Sequence, residues 1–214
     1  MRKIVDGEIR NRERTMEKLI EAVGEIIITD GYSKLGINNI ARKAMVDKKL
    51  IYRYFGGLDE LMAQYFRKRD FWGQLSEGTF DKIDLSFKDH GKHLASEFLI
   101  HVFDNLYNLE EARKILTWEI SEKSEHLKRL SFERELLGKD MFAQTDEYFK
   151  DSPINLRACY SILLSGVYYL TLHAKTTGGE FCEIDINSKK GQEEIKKALF
   201  DMIELIFNKP TNNV

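Results

Sequence analysis

Apolar residues recur along most of this chain three and four positions apart, and seldom alternate, so helices are expected nearly throughout. Met16, Leu19, Ile20, Val23 and Ile27 form one stripe and predict a long helix from Thr15 to Asp30, ended by Gly31. Ile37, Ile40, Ala41 and Ala44 stand on one face of a shorter helix that Gly36 opens. Ala44-Met45-Val46-Asp47 then reads as a tight turn. Val46 is placed to plug the corner, and Asp47 to cap the next helix by accepting its first free N–H groups. That helix carries Ile51 and Phe55 on one face and breaks at Gly56-Gly57. Leu58 to about Ser76 reads as a fourth helix, apolar at Leu61, Met62, Tyr65, Phe66 and Trp72. Met1 to Arg14 is polar and reads as a flexible arm, and Gly78 to Leu85 as a loop.

Five further helical patterns follow. They cover Ser86 to Asn108, Leu109 to about Glu122, Ser124 to about Lys150, Pro153 to about Thr176, and Ser188 to about Asn208. Ser152-Pro153 supplies a cap and a first helical residue, and Gly178-Gly179 a stop before a polar loop. The expected class is all-α with about nine helices. Ala158 to Ala174 contains no acid or base. It sits at the lower limit of the roughly 17–25 residues that span a membrane. Its Ser161, Ser165, Thr171, His173 and three tyrosines suit a helix buried by protein on nearly all sides.

The third pattern is where chemistry first enters. A helix of about two turns does not persist alone in water, so packing must hold it. Its outward positions are Lys48, Lys49, Tyr52 and Arg53, and no acid occurs between Lys48 and Gly57. A short, packed helix with a basic and aromatic outer face suits a DNA major groove. Asn38 and Asn39 face outward beside it, either toward phosphates or toward water. Lys3, Arg10, Arg12 and Arg14 of the arm have the same two options. Residues 1–56 hold 12 Lys and Arg against 8 Asp and Glu, and the remainder 21 against 27. A basic N-terminal module on an acidic body fits a local nucleic-acid footprint.

From about Thr15 to Leu61 the chain resembles the TetR-type transcriptional regulators. The resemblance rests on Ile37-x-x-Ile40-Ala41, the Ala44-Met45-Val46 turn, Ile51-Tyr52-x-Tyr54-Phe55, and Asp59-Glu60-Leu61. It implies a three-helix helix-turn-helix head over residues 1–57. It also implies a helical effector-binding and dimerisation body over 58–214, with the helix from Leu58 linking the two. By the same resemblance Tyr52 contacts phosphate, while Lys48, Lys49, Arg53 and Tyr54 contact bases or phosphates. Three positions depart from the family pattern: Met45 replaces glycine, Gly36 replaces a capping threonine, and Leu58 replaces lysine. The last two remove expected phosphate contacts, which leaves a helical ligand-binding or scaffolding protein without DNA binding as the alternative.

The implied partners are a double-stranded DNA operator, an uncharged or weakly charged apolar effector, and a second copy of the chain. Trp72, Tyr107, Trp118 and Tyr168, each a large ring with a polar handle, are the candidate effector contacts, against a plain core role for any one of them. Two helices are apolar over more than one face and suit a four-helix interface across a two-fold axis. In the first, Leu156, Cys159, Leu163 and Leu170 make one stripe, and Ile162, Ser165, Gly166 and Tyr169 another. In the last, Ile195, Leu199, Met202 and Ile206 are widened by Ala198, Leu205 and Phe207.

Composition narrows the classes further. The 214 residues are 43% hydrophobic and 32% charged, a globular balance. Cys159 and Cys182 are too few for a disulfide framework, and Met1 to Arg14 lacks the apolar core of a signal peptide, so a cytoplasmic location is expected. His93, Glu97 and His101 share a helix face at metal-ligand spacing, but the order H-E-x-x-H is absent and no metal is expected. No phosphate-binding or nucleophile motif occurs, so neither a cofactor nor an enzyme is expected.

Overall fold

The computed structural model describes residues 2–69 and 89–208, apart from the side chains of residues 2–8 and of Leu137, Asp140, Met141 and Gln144. Within these the helices are α1 (Arg2–Thr29), α2 (Ile37–Lys43), α3 (Lys49–Phe55), α4 (Leu58–Arg69), α5 (Lys92–Asn108), α6 (Glu110–Ser121), α7 (Glu125–Phe149), α8 (Leu156–Thr176) and α9 (Lys189–Phe207). A 3-10 turn (Tyr32–Lys34) precedes α2, and a two-stranded ribbon, β1 (Glu180–Phe181) and β2 (Ile184–Asp185), precedes α9. The all-α class holds, with that ribbon as its one described exception. The chain forms two compact units, residues 1–77 with 114–133, and residues 78–113 with 134–214.

The first unit is built on the stripe of α1. Leu19, Ile20, Val23, Ile26 and Ile27 meet Ile40 and Ala41 of α2, Ile51 and Phe55 of α3, and Leu61, Met62, Tyr65 and Phe66 of α4. Ile115, Trp118, Leu127 and Leu130 complete this core. Burying Ile51 and Phe55 contributes roughly 1.5–3 kcal/mol each, which holds a seven-residue helix that would melt alone. The expected flexible arm is helical from Arg2. No proline interrupts it, so a helix nucleated by the packed Leu19–Ile27 stretch propagates at one hydrogen bond per residue, through Asp6-Gly7. Thr15 Oγ1 donates to the Asn11 carbonyl at 2.7 Å within it.

In the second unit α5 packs on α8 and α9. Its buried face includes Leu94, Phe98, Leu99, Val102 and Phe103. Tyr160 of α8 donates to the Ala95 carbonyl at 3.1 Å, and burial pushes its phenol well above the usual range. Lys92 pairs with Glu204 at 2.9 Å and Lys196 with Asp104 at 2.6 Å, tying α9 to α5. Arg157 of α8 donates twice to Asp146 of α7, at 2.5 and 3.0 Å, and holds that carboxyl below its ordinary value.

Three details differ from the expectations. Helix α8 starts at Leu156, not Pro153, because Ser152 spends its hydroxyl on the Ile154 N–H while extended Asn155 caps the Ala158 N–H at 3.0 Å. The polar loop holds the ribbon, turned by Cys182 and Glu183, both left-handed at φ 52° and 63°. Gly191 lets α9 approach it, since a Cβ there would lie 2.0 Å from the Asp185 carbonyl oxygen. Finally, α8 is buried on one side only: Leu156, Tyr160, Val167, Thr171 and Ala174 face the unit, while Ile162 and Tyr169 are exposed. No described helix is long and apolar enough to cross a membrane.

Candidate nucleic-acid interface

The turn between α2 and α3 sets the direction of the outer face. The Val46 N–H donates to the Ala41 carbonyl at 3.0 Å, and Val46 packs against the core as the expected plug. Asp47 accepts from the Lys49 N–H through its side chain at 2.8 Å and from the Leu50 N–H through its carbonyl at 2.9 Å. It thus satisfies two of the first N–H groups of α3. Met45 sits at φ 54°, left-handed backbone that a side chain resists, and is 88% exposed. Met45→Gly is therefore expected to raise stability by about 1 kcal/mol and shift the thermal midpoint upward by a few degrees. A lowered midpoint in thermal denaturation would show instead that the methionine makes a stabilising contact.

At the surface the structure places Lys48, just before α3, and Lys49, Tyr52 and Arg53 on it, with Tyr52 56% exposed. Lys48 Nζ donates to Asn38 Oδ1 at 3.3 Å, so Asn38 and the outer face at the start of α3 lie side by side. Asn39 is occupied within the fold, donating to the Lys34 carbonyl at 2.9 Å and accepting from Arg42 at 3.0 Å. Tyr54 is half-buried against the core. The guanidinium carbons of Arg12 and Arg53 lie 5.6 and 5.9 Å from the centre of its ring. Arg12 lies in the polar N-terminal stretch, and the sequence gives no sign of that contact, because it joins helices about forty residues apart. Gly36 caps α2 without a side-chain bond, and Leu58 packs against the core. The arrangement offers ammonium, guanidinium and hydroxyl donors on one short rigid helix, the chemistry that reads base edges and phosphates.

The candidate effector contacts are not gathered around one described cavity. Trp118 lies in the core of the first unit, stacked on Tyr32 at 5.1 Å and tilted against Phe66 at 6.3 Å. Tyr107, in the second unit, donates to Asn187 Oδ1 at 3.1 Å, and Lys175 Nζ lies 3.6 Å from its ring centre. Tyr168 is half-buried on α8, and Trp72 lies outside the described residues. A cavity of about 280 Å³ that the sequence did not signal opens between α4 and the start of α7. It is lined by Asp59, Phe66, His126 and Arg129 among others, with His126 Nε2 3.7 Å from Asp59. Among the described residues His93, Glu97 and His101 form no group able to hold a metal.

Residues 15–65 match the family model of the bacterial regulatory proteins, tetR family. Three solved structures share the fold. The transcriptional regulator FadR from Bacillus subtilis, in complex with stearoyl-CoA, is 14% identical with a TM-score of 0.63, covering 87% of this chain and 96% of that one. The fatty acid degradation regulator FadR from Bacillus halodurans is 13% identical with a TM-score of 0.62, covering 88% and 93%. NalD, the secondary repressor of the MexAB-OprM multidrug efflux pump in Pseudomonas aeruginosa, is 19% identical with a TM-score of 0.60, covering 91% and 96%. No curated protein matches the chain.

Proposed function

We propose that this chain, a transcriptional regulator of the bacterial tetR family with the family's DNA-binding head at residues 15–65, acts as a homodimeric repressor. An apolar effector releases it from a palindromic operator. The observation that carries the DNA-binding part is the outer face of α3, where Lys48, Lys49, Tyr52 and Arg53 are exposed while Ile51 and Phe55 anchor the helix. Asn38 extends that face from α2, and Asn39 steadies it from within. Residues 1–57 serve as the head and 58–214 as the effector-binding and dimerising body, with α4 as the link that carries the signal. Two heads on a two-fold axis meet half-sites about one helical turn apart, or a multiple of that. An effector that favours another head spacing lowers DNA affinity, and DNA lowers effector affinity by the same factor. Regulation by binding, not catalysis, is the family's role. Titrating salt against a labelled duplex tests the head: affinity must fall steeply as salt rises.

For the effector, the fold shared with a FadR solved with stearoyl-CoA supports a molecule with a long apolar chain. An acyl chain would meet the aromatic-rich body, with Tyr107 and Tyr168 as its candidate contacts there. Trp72 keeps its place among the candidates, and Trp118 is the weakest, its ring being covered by Tyr32 and Phe66. Stearoyl-CoA at a hundred times its dissociation constant is expected to stabilise the protein by about 2.7 kcal/mol and to raise its melting temperature. Coenzyme A alone should leave the melting temperature unchanged. A rise produced by coenzyme A as strongly as by stearoyl-CoA, or only by ligands without a long apolar chain or by metal ions, would overturn the apolar effector.

A further inference from the structure

We propose that Arg12 of α1 belongs to the DNA interface: Arg12 and Arg53 take neighbouring backbone phosphates, one each, and the Tyr54 ring is the platform that aims both guanidiniums. The inference rests on DNA binding through α3 and extends the contact surface to a helix outside the helix-turn-helix motif.

Four observations combine. First, α1 runs unbroken from Arg2 to Thr29, so Arg12 is carried on a helix continuous with the packed core. Second, Tyr54 is half-buried and fixed against that core, and both guanidinium carbons lie within 6 Å of its ring centre, at 5.6 Å for Arg12 and 5.9 Å for Arg53. A flat guanidinium over an aromatic face is held in orientation as well as in position. Third, neither guanidinium is paired with a carboxylate among the described residues, although Glu13 and Glu17 stand close to Arg12 in sequence. Fourth, both arginines are exposed, and Arg53 shares the outer face of α3 with the exposed Tyr52 and Lys49.

Two cations on one ring repel each other in the free protein. A carboxylate would be the economical partner if the contact served only to brace α3 against α1. An unneutralised pair suits an anion that arrives from outside. A phosphodiester oxygen pair accepts two parallel N–H donors from a guanidinium, and two preset guanidiniums, each on its own phosphate, lose little freedom on binding. Phosphate contacts fix register without reading sequence. Arg12 is therefore expected to strengthen binding to every duplex alike.

The test uses the full chain and a fluorescein-labelled, mixed-sequence DNA duplex titrated at several potassium chloride concentrations. Loss of one phosphate contact should make the slope of log affinity against log salt shallower by about 0.9. Arg12→Ala is expected to show that change and to weaken two unrelated duplexes by the same factor. Arg12→Lys, which keeps the charge, should recover the wild-type slope. If Arg12→Ala does not fold, Arg12→Gln, which keeps a flat stacking amide without charge, is judged by the same slope. A wild-type slope in the uncharged variant, whatever its affinity, makes Arg12 a structural brace and overturns the proposal. Wild-type protein without salt-dependent DNA binding overturns the DNA reading itself, a result distinct from an unchanged slope.

Discussion

Alanine at both Tyr52 and Arg53 is expected to weaken DNA binding by roughly 30-fold or more while leaving the protein folded. Both side chains lie on the outer face of α3, and Tyr52 is 56% exposed, so neither removal opens the core that Ile51 and Phe55 fill. The two losses together should cost about 2–6 kcal/mol, taking roughly 1–3 kcal/mol for each good contact. Single changes separate the roles. Tyr52→Phe removes only a hydroxyl and should weaken all sequences alike, as loss of a phosphate contact does. Lys48→Ala should change which sequence is preferred in selection from a randomised duplex pool. Its ammonium stands between α2 and α3 on Asn38, where a base edge in the groove can replace the asparagine as acceptor. Binding by the double variant at wild-type affinity would mean that α3 is not the reading helix.

How much of this was legible in the sequence depends on how local each cause is. The turn and its flanking helices were legible because every determinant lies within twenty residues: the stripe of α2, the plug at Val46, the cap at Asp47 and the break at Gly56. The helical course of residues 2–14 was not, because polar composition alone does not distinguish a solvated arm from a solvated helix extending a packed one. The ribbon was missed because Cys182-Glu183 lacks the Asn-Gly signature of a turn with two left-handed residues, and Gly191, which seats α9 on it, looks like an ordinary helix glycine. Trp118 shows the limit most plainly. Periodicity puts it on an apolar face, but only the fold shows that this face meets Tyr32 and Phe66. The Arg12 contact belongs to the same class, since spacing along one helix says nothing of a ring on another.

Gly166→Arg and Leu205→Asp are expected to give monomers that keep the helical fold and lose operator binding. The argument starts from what the single chain leaves uncovered. In α8, Val167 and Thr171 face inward while Ile162 is 72% exposed and Tyr169 also lies open. In α9, Ile203 and Phe207 face inward while Leu205 is 72% exposed and Met202 lies open. Large apolar side chains at this exposure on two helices that both pack on α5 are a surface that monomers seldom tolerate. A two-fold axis would bury each of them twice. Full burial of Ile162 and Leu205 contributes roughly 1.5–3 kcal/mol per side chain, so the four from two chains approach the estimated 4–15 kcal/mol cost of association before other contacts count. Position 166 gives the sharper test, because an added Cβ there meets nothing within 4 Å among the described residues, so a side chain can leave the helix there without displacing the unit's own core. Leu199 does not serve that purpose. The sequence placed it on the interface stripe, but it is only 7% exposed and packs inward, so an aspartate there would unfold the second unit whether or not a dimer exists. Light scattering at micromolar concentration gives the mass, and circular dichroism shows that the fold persists. A monomer presents one recognition helix where a palindrome offers two half-sites, so operator binding should fall to the non-specific level. Wild-type protein that scatters as a monomer without DNA, or a Gly166→Arg variant that remains a dimer, would remove this interface.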